Sequence, residues 1–360
     1  MILNDPQQTA NARAVAGRLR LNGKAVPFAS LDIEASGGFS ADTFSAVLPL
    51  SCLPKDMGLT DWWAKQQQIG VSIDIGVEGP SGVAWQSMLV GQIDHWRYQP
   101  ARFDIEISGR DLTARFLDNK TSEKFANRTT SDVATLLAQR RGLKPVVTAT
   151  KTQVGGIYKH DQNHVSSDSC EWDLLTYFAG MDGFRVYVLG EELHYEPAPD
   201  PAKADQYVIR YRPPDEALAY PQGNVGDDLL FERDMTLARG VKVHVQSWLN
   251  GKGVEASWPP DAASDAQLYK VVRSSLDVQR AKALAKTLYE QIAVREVSMQ
   301  CSLPGDNLLT PGCMVRVQGT GAGFDQLYYV EHVKRSLSVD NGYVMTLSAT
   351  NRNPANKETT

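Results

Sequence analysis

The chain contains no apolar run long enough to cross a membrane. Stretches such as Val271-Val272 and Val344-Met345 fall far short of the roughly 20 residues a spanning helix needs, so no membrane insertion is expected. It also has no basic excess: net charge is -5, with Lys and Arg spread along the chain, and nothing concentrates the positive field that nucleic-acid binding requires. Cysteine is scarce, at four residues: Cys52, Cys170, Cys301 and Cys313. With no close CxxC pair and six dispersed histidines, buried reduced thiols are expected rather than a disulfide framework or zinc. A Cys301–Cys313 link would need adjacent strands in register. The opening Met-Ile-Leu-Asn-Asp has no basic segment leading into an apolar one, so no signal peptide is expected and the start reads as cytoplasmic.

Catalytic motifs are missing as well. There is no GxSxG, Walker or Rossmann fingerprint. Gly319-Thr320-Gly321-Ala322-Gly323 has the glycines of a phosphate loop but neither its lysine nor a following helix, and reads as a hairpin connection. His160 and His164 lack the glutamate of HExxH and sit among polar residues, which favours a polar loop over a metal site. The acid pairs Asp227-Asp228 and Asp261/Asp265 have no partner set spaced for glycoside hydrolysis and read as solvated turns. No cofactor and no enzymatic activity are expected.

What is present is core material and strand periodicity. With 42% hydrophobic and 22% charged residues over 360 positions, the chain can fill two or three domains. Residues 1–110 alternate with period two in four runs, Val15 to Leu21, Phe44 to Leu48, Val71 to Val77 and Phe103 to Ile107, separated by turn residues. This predicts an antiparallel β-barrel domain with one wet face, and Asp61-Trp62-Trp63-Ala64 reads as a short helical turn plugging one barrel end.

Residues 111–200 change texture to an α/β middle domain. Ser131 to Leu137 fits a short helix closed by Gly142, with Asp132 in its first turn and Arg140 and Arg141 at its end. A second helix, with Asp168 as cap and Glu171 three later, carries Trp172, Leu175 and Phe178 on its apolar face and ends at Gly180 and Gly183. Phe184 to Val188 and Leu193 to Tyr195 then form a hairpin. Pro197 to Ala204 reads as a linker. Residues 201–350 predict a second β-barrel domain with a helix at 277–293, whose Ala281, Leu284, Ala285, Leu288 and Ile292 fall on one face. Residues 351–360 read as a flexible tail. The expected fold is therefore mainly β with an α/β insert: two antiparallel β-barrels flanking a small α+β region.

The run Ser108-Gly109-Arg110-Asp111-Leu112-Thr113, the short helix near Thr130, Val154-Gly155, Ser169-Cys170-Glu171-Trp172-Asp173-Leu174-Leu175 and Gly183-Phe184 together resemble the phage late-control D family of tail proteins. That family is similar to the central baseplate hub of contractile-tailed phages and to the N-terminal part of type VI secretion spikes. The resemblance is strongest over residues 105 to 197 and looser from Arg233 to Thr350. It implies a homotrimer whose two tube-like barrels per subunit form a ring, adapting the sixfold tail tube to the threefold central spike. Such a hub belongs to the tail baseplate of a virion, is assembled in the host cytoplasm, and contacts spike, tail tube and baseplate wedge proteins. DNA passes its lumen without specific binding, which calls for a neutral or mildly acidic lining.

The resemblance further implies structural junction residues. Gly109 serves as a flexible corner between strand and insert, and Arg110 and Asp111 make local charge-assisted bonds. Trp172 belongs to the apolar face of the second helix, Gly183 permits the bend back into a strand, and Phe184 fills the core. The family's region around Thr130 to Val147 is similar to a LysM-like module; over residues 120–150 this chain lacks a carbohydrate-binding signature, which favours a structural element. The alternatives are a hub of a type VI or pyocin-like particle, distinguished by gene neighbourhood, and a tail-associated peptidoglycan hydrolase or cell-wall binding module.

Overall fold

A computed structural model describes residues 2–4, 14–79 apart from 38 and 59, 82–154 apart from 122, 124 and 126, 169–197, 204–212, 225, 228–249, and 251–351 apart from 274, 275, 294 and 322. The N-terminal unit contains β1 (Val15–Leu21), β2 (Lys24–Val26), β3 (Ser30–Ser36), β4 (Thr43–Pro49), α1 (Thr60–Lys65), β5 (Gly70–Gly79), β6 (Gly82–Gln99) and β7 (Asp104–Asp111). Its strands lie side by side in the order β3-β4-β7-β6-β5-β1-β2. The alternation read from the sequence is the burial pattern at Leu19, Phe44, Leu48, Ile73 and Ile107, which point into one core with Ile33, but not at Phe103, which is exposed in the turn before β7 with φ +60°. Trp63 of α1 is fully buried at its end, its indole Nε1 donating to the Met57 carbonyl (2.8 Å).

The insert follows with α2 (Ala114–Leu117), β8 (Arg128–Thr129), α3 (Thr130–Arg140), β9 (Lys144–Val147), β10 (Gln153–Val154), α4 (Glu171–Asp182), β11 (Phe184–Leu189) and β12 (Glu192–Pro197). Helix α3 starts at a capping box between Thr129 and Asp132, and Gly142 past its end has φ +74°. Helix α4 is capped by Cys170; the expected cap Asp168 lies outside the described residues. The Cys170 thiol accepts from the Asp173 backbone N–H, and the Asp173 carboxylate accepts from that of Cys170. This leaves Glu171 for another task. Its carboxylate is 1% exposed and takes two bonds from Arg141, at 2.6 and 2.7 Å, tying the start of α4 to the end of α3. Both helices cover one face of the mixed sheet β11-β12-β9, and Val133, Leu137, Trp172, Leu175, Phe178, Leu193 and Tyr195 form the insert's own core.

The rest comprises β13 (Gln206–Arg210), β14 (Leu230–Arg233), α5 (Met235–Ala238), β15 (Val241–Leu249), β16 (Lys252–Trp258), β17 (Gln267–Val272), α6 (Val278–Ala293), β18 (Val297–Pro304), β19 (Met314–Gln318), β20 (Leu327–Ser338) and β21 (Gly342–Thr350). The helix forms where its periodicity predicts, with the Asp277 carboxylate accepting from the Arg280 N–H (2.7 Å). It does not pack on the C-terminal β core, however. Ala281, Ala285 and Leu288 close over Val241, Val243 and Val245 of a separate three-stranded sheet, β16-β15-β17, which has a core of its own. The C-terminal β core is built instead from Tyr207, Met299, Cys301, Val315, Tyr328, Val333 and Leu347.

The expected pair of closed barrels is not formed: among the described residues no sheet closes on itself. Strand β20 of the C-terminal unit pairs antiparallel with β3 of the N-terminal unit, from His332 opposite Ser36 to Ser338 opposite Ser30. Both units thereby share one open sheet of thirteen strands, running β14-β18-β21-β20-β3-β4-β7-β6-β5-β1-β2, with β13 and β19 branching beside β20. Period-two alternation is the same for a strand in a barrel and in an open sheet, because it records which face is buried and not which strand lies alongside. The edge that a barrel would close locally is closed here by a strand some 300 residues away in sequence. Cys301 and Cys313 are free: Cys301 sits in β18, which pairs with β14 and β21, whereas Cys313 precedes β19. Burial pushes the Cys301 thiol up to about 12, so it stays protonated and inert.

Candidate functional site

Four of the six residues implied as junction elements meet where the seam between the units crosses the entry to the insert. Gly109 lies inside β7, opposite Phe44 on one side and Ile93 on the other, and is not a flexible corner. A Cβ there would lie 1.9 Å from the Gln92 carbonyl oxygen and 2.9 Å from the Phe44 ring. Gly91 on β6 has the complementary constraint, its Cβ position lying 2.1 Å from the Arg110 carbonyl oxygen. The two glycines let β6 and β7 approach where β6 carries a bulge between Ile93 and His95. Asp94, the residue in the bulge, meets Arg110 through two hydrogen bonds of 2.6 and 3.0 Å, and the same guanidinium reaches Asp118 after α2 at 3.0 Å. These carboxylates, Asp94 foremost, push the Arg110 guanidinium further up from its ordinary value.

Asp111 ends β7 and is 6% exposed. Its carboxylate accepts from the Thr113 hydroxyl (2.9 Å) and backbone N–H (3.2 Å), and its own N–H donates to the Asp42 carbonyl (2.9 Å). Asp42 lies in the β3–β4 loop, and its carboxylate accepts from the Ser36 N–H (2.9 Å). Burial, reinforced by the charge of Asp42, raises the Asp111 carboxyl to about 8. Burial raises Asp42 to about 6 against the opposing pull of the Ser36 N–H and Arg335.

Trp172 reaches the same loop from α4, its indole Nε1 donating to the Phe39 carbonyl, while Gly37 donates to the Glu331 carbonyl on β20 (2.6 Å). The β3–β4 loop is thus a clasp joining the N-terminal sheet, the insert and the C-terminal unit. On the core side of the seam the Arg335 side chain, 2% exposed and opposite Ile33, donates to the carbonyls of Asp306 and Leu309. Gly183 and Phe184 lie away from this clasp. Gly183 ends α4 with φ +67°, and the Phe184 ring packs 5.3 Å from that of Tyr195. Sequence reasoning missed Asp42, Gly37, Phe39 and Arg335. The one local signal was the glycine-containing loop between two alternating runs.

Across the seam, the solvent side of the sheet carries a shallow depression of about 340 Å³ lined by Asp32, Glu34, Asp94, His95, Arg110 and Lys334 among others. Charges of both signs alternate there, as in the cross-strand row Lys334, Glu34, Thr43, Arg110. A second depression of about 310 Å³ runs along α3, lined by Arg128, Asp132, Thr135, Leu136 and Gln139.

The glycine loop after β19 holds an anion from within the chain. The Asp325 carboxylate accepts from the backbone N–H groups of Gly319 (3.1 Å) and Thr320 (3.0 Å) and from the Thr320 hydroxyl (2.6 Å). Partial burial works against ionisation, but these bonds and that from Gly321 hold the carboxyl below its usual range. Replacing Asp325 with Asn should cost about 1 kcal/mol at neutral pH, a modest figure because the site is exposed. The difference should vanish as acid protonates the native carboxyl, measurable as converging denaturation midpoints of the two proteins. His160 and His164 lie outside the described residues, as does Asp227. Among the described residues no three His, Cys, Asp or Glu side chains are grouped to hold a metal ion, and no helix is long and apolar enough to cross a membrane.

This architecture is that of phage tail proteins and of a secretion-system component. It superposes on a tail protein from Neisseria meningitidis MC58 with a TM-score of 0.71 at 17% identity, covering 93% of this chain and 96% of that one. The 43 kDa tail protein of prophage MuSo2 from Shewanella oneidensis gives a TM-score of 0.66 at 14% identity over 94% and 97% of the two chains. A type VI secretion system component from Escherichia coli, itself structurally similar to tail proteins of bacteriophage T4, gives 0.52 at 12% identity over 92% of this chain and 76% of that one. No protein-family model and no curated protein sequence matches the chain.

Proposed function

We propose that this chain is a structural hub of a contractile tail, acting in the baseplate as a homotrimeric ring between the tail tube and the central spike. The observation that carries this reading is the open sheet itself. Its path ends in β14 on one side and β2 on the other, both units having already joined through β20 and β3. Two different sheet ends, unpaired among the described residues, suit head-to-tail contact between copies, and a head-to-tail contact that closes makes a ring. The likeness of fold to two tail proteins over almost their whole lengths supports the same reading.

The ring acts by shape and interface area, with no chemical step. Its partners are the spike below, the tube above and the wedge proteins around it, and DNA crosses the lumen without specific binding. The mixed-sign solvent face at the seam, with Asp32, Glu34 and Asp94 beside Arg110 and Lys334, suits passage of a polyanion. Sedimentation of the purified chain, alone and with its candidate spike, tests the proposal: a trimer is expected in the mixture, and a monomer under both conditions would overturn it.

A further inference from the structure

The clasp holds a pair of carboxylates with no cation of their own. Asp111 is bonded by neutral donors on Thr113, Asp42 by the Ser36 N–H, and neither makes an ion pair among the described residues. The cations nearby are engaged elsewhere: Arg110 with Asp94 and Asp118, Arg115 with the Arg141 carbonyl, and Arg335 with the carbonyls of Asp306 and Leu309. Lys334 points to the opposite face of β20 from Arg335, into the solvent-side depression. Tyr343 of β21, close to Arg335, donates to Asn307. Two negative charges placed here would repel each other, Asp111 with little solvent to offset it and the half-buried Asp42 with only partial relief from the charge of Arg335.

We propose that Asp42 and Asp111 are a protonation-dependent lock on the β3–β4 loop: the pair short of full ionisation holds sheet, insert and C-terminal unit at one joint, and full ionisation releases the loop. Among the described residues the loop's other ties to these parts include the Asp111 N–H on the Asp42 carbonyl, the Trp172 indole on the Phe39 carbonyl and the Gly37 N–H on the Glu331 carbonyl. Burial is the main cause of the raised Asp111 and Asp42 carboxyls, at about 8 and about 6. Both groups therefore retain protons in the closed joint that they lose on opening, where the usual carboxylate value of about 4 applies. The open form binds fewer protons, so opening becomes easier as pH rises between those limits.

Hydrogen exchange of the tryptophan indole N–H groups followed by NMR tests the lock, with the Trp172 signal assigned from a Trp172→Phe variant. The protection of Trp172 is expected to fall about tenfold per pH unit between pH 6 and pH 8 and then level off, each unit being one proton released on opening. Trp63, whose indole is bonded within the N-terminal core, should stay better protected throughout. In D111N the Trp172 protection should lose most of that dependence, and D42N provides a second variant should D111N fail to fold. A Trp172 protection that is flat across this range in the native chain would overturn the lock. So would Trp172 and Trp63 exchanging at one common rate, which would mark global unfolding, or D111N titrating as the native chain does.

Discussion

Replacing Gly109 with alanine should destabilise the protein by about 3 kcal/mol or more, an effect at the upper end for adding one methyl group to a packed interior. The added carbon would lie 1.9 Å from the Gln92 carbonyl oxygen, and backbone does not yield as a flexible side chain does. Relief requires β6 to move away from β7 beside its bulge, which also draws Asp94 off Arg110. Gly183→Ala is the matching control. Gly183 has φ +67° but open space around its Cβ position, so only the conformational cost of about 1 kcal/mol applies. Urea denaturation of the two variants compares them directly, and equal losses would show that close strand approach is not what Gly109 provides.

The second large effect is expected at Arg335. Substitution by methionine keeps much of the buried stem but removes the donors that satisfy the Asp306 and Leu309 carbonyls. The Leu309 carbonyl is left unpaired in the interior and the Asp306 carbonyl keeps only the Tyr343 hydroxyl at 3.4 Å, which gives an expected loss of about 3 kcal/mol. Arg335→Lys should recover only part of this, because an ammonium cannot span two carbonyls as a planar guanidinium does. Since Arg335 faces Ile33 across the β20–β3 seam, its loss should also weaken the cooperation between the two β units. Thermal unfolding by calorimetry should then change from one transition to two. A single transition at the native midpoint would contradict the role assigned to this residue.

Both residues illustrate how much of the molecule can be read locally. Alternation at Val15 to Leu21, Phe44 to Leu48 and Val71 to Val77 records burial directly, and these runs are strands with those side chains inward. The helices at Thr130–Arg140 and Val278–Ala293 follow from caps and apolar stripes within a dozen or so residues. The resemblance carried by the run Ser108 to Thr113 implied a flexible corner at Gly109, whereas the glycine lies within β7 for a reason the run does not contain. That reason is the Gln92 carbonyl on a neighbouring strand, which no pattern within β7 contains.

Secondary structure and the positions of the core faces were written in short-range patterns of residue type, because each depends on a few neighbours along the chain. Tertiary structure alone decided that β20 lies against β3, that the two β units form one open sheet instead of two barrels, and that α6 covers a separate small sheet. It likewise decided that Asp42, Asp111, Trp172 and Glu331 meet at one loop. Strand edges present the same row of N–H and C=O groups whatever the side chains are, so alternation names a face without naming a partner. The choice of partner is made by the packing of the whole chain.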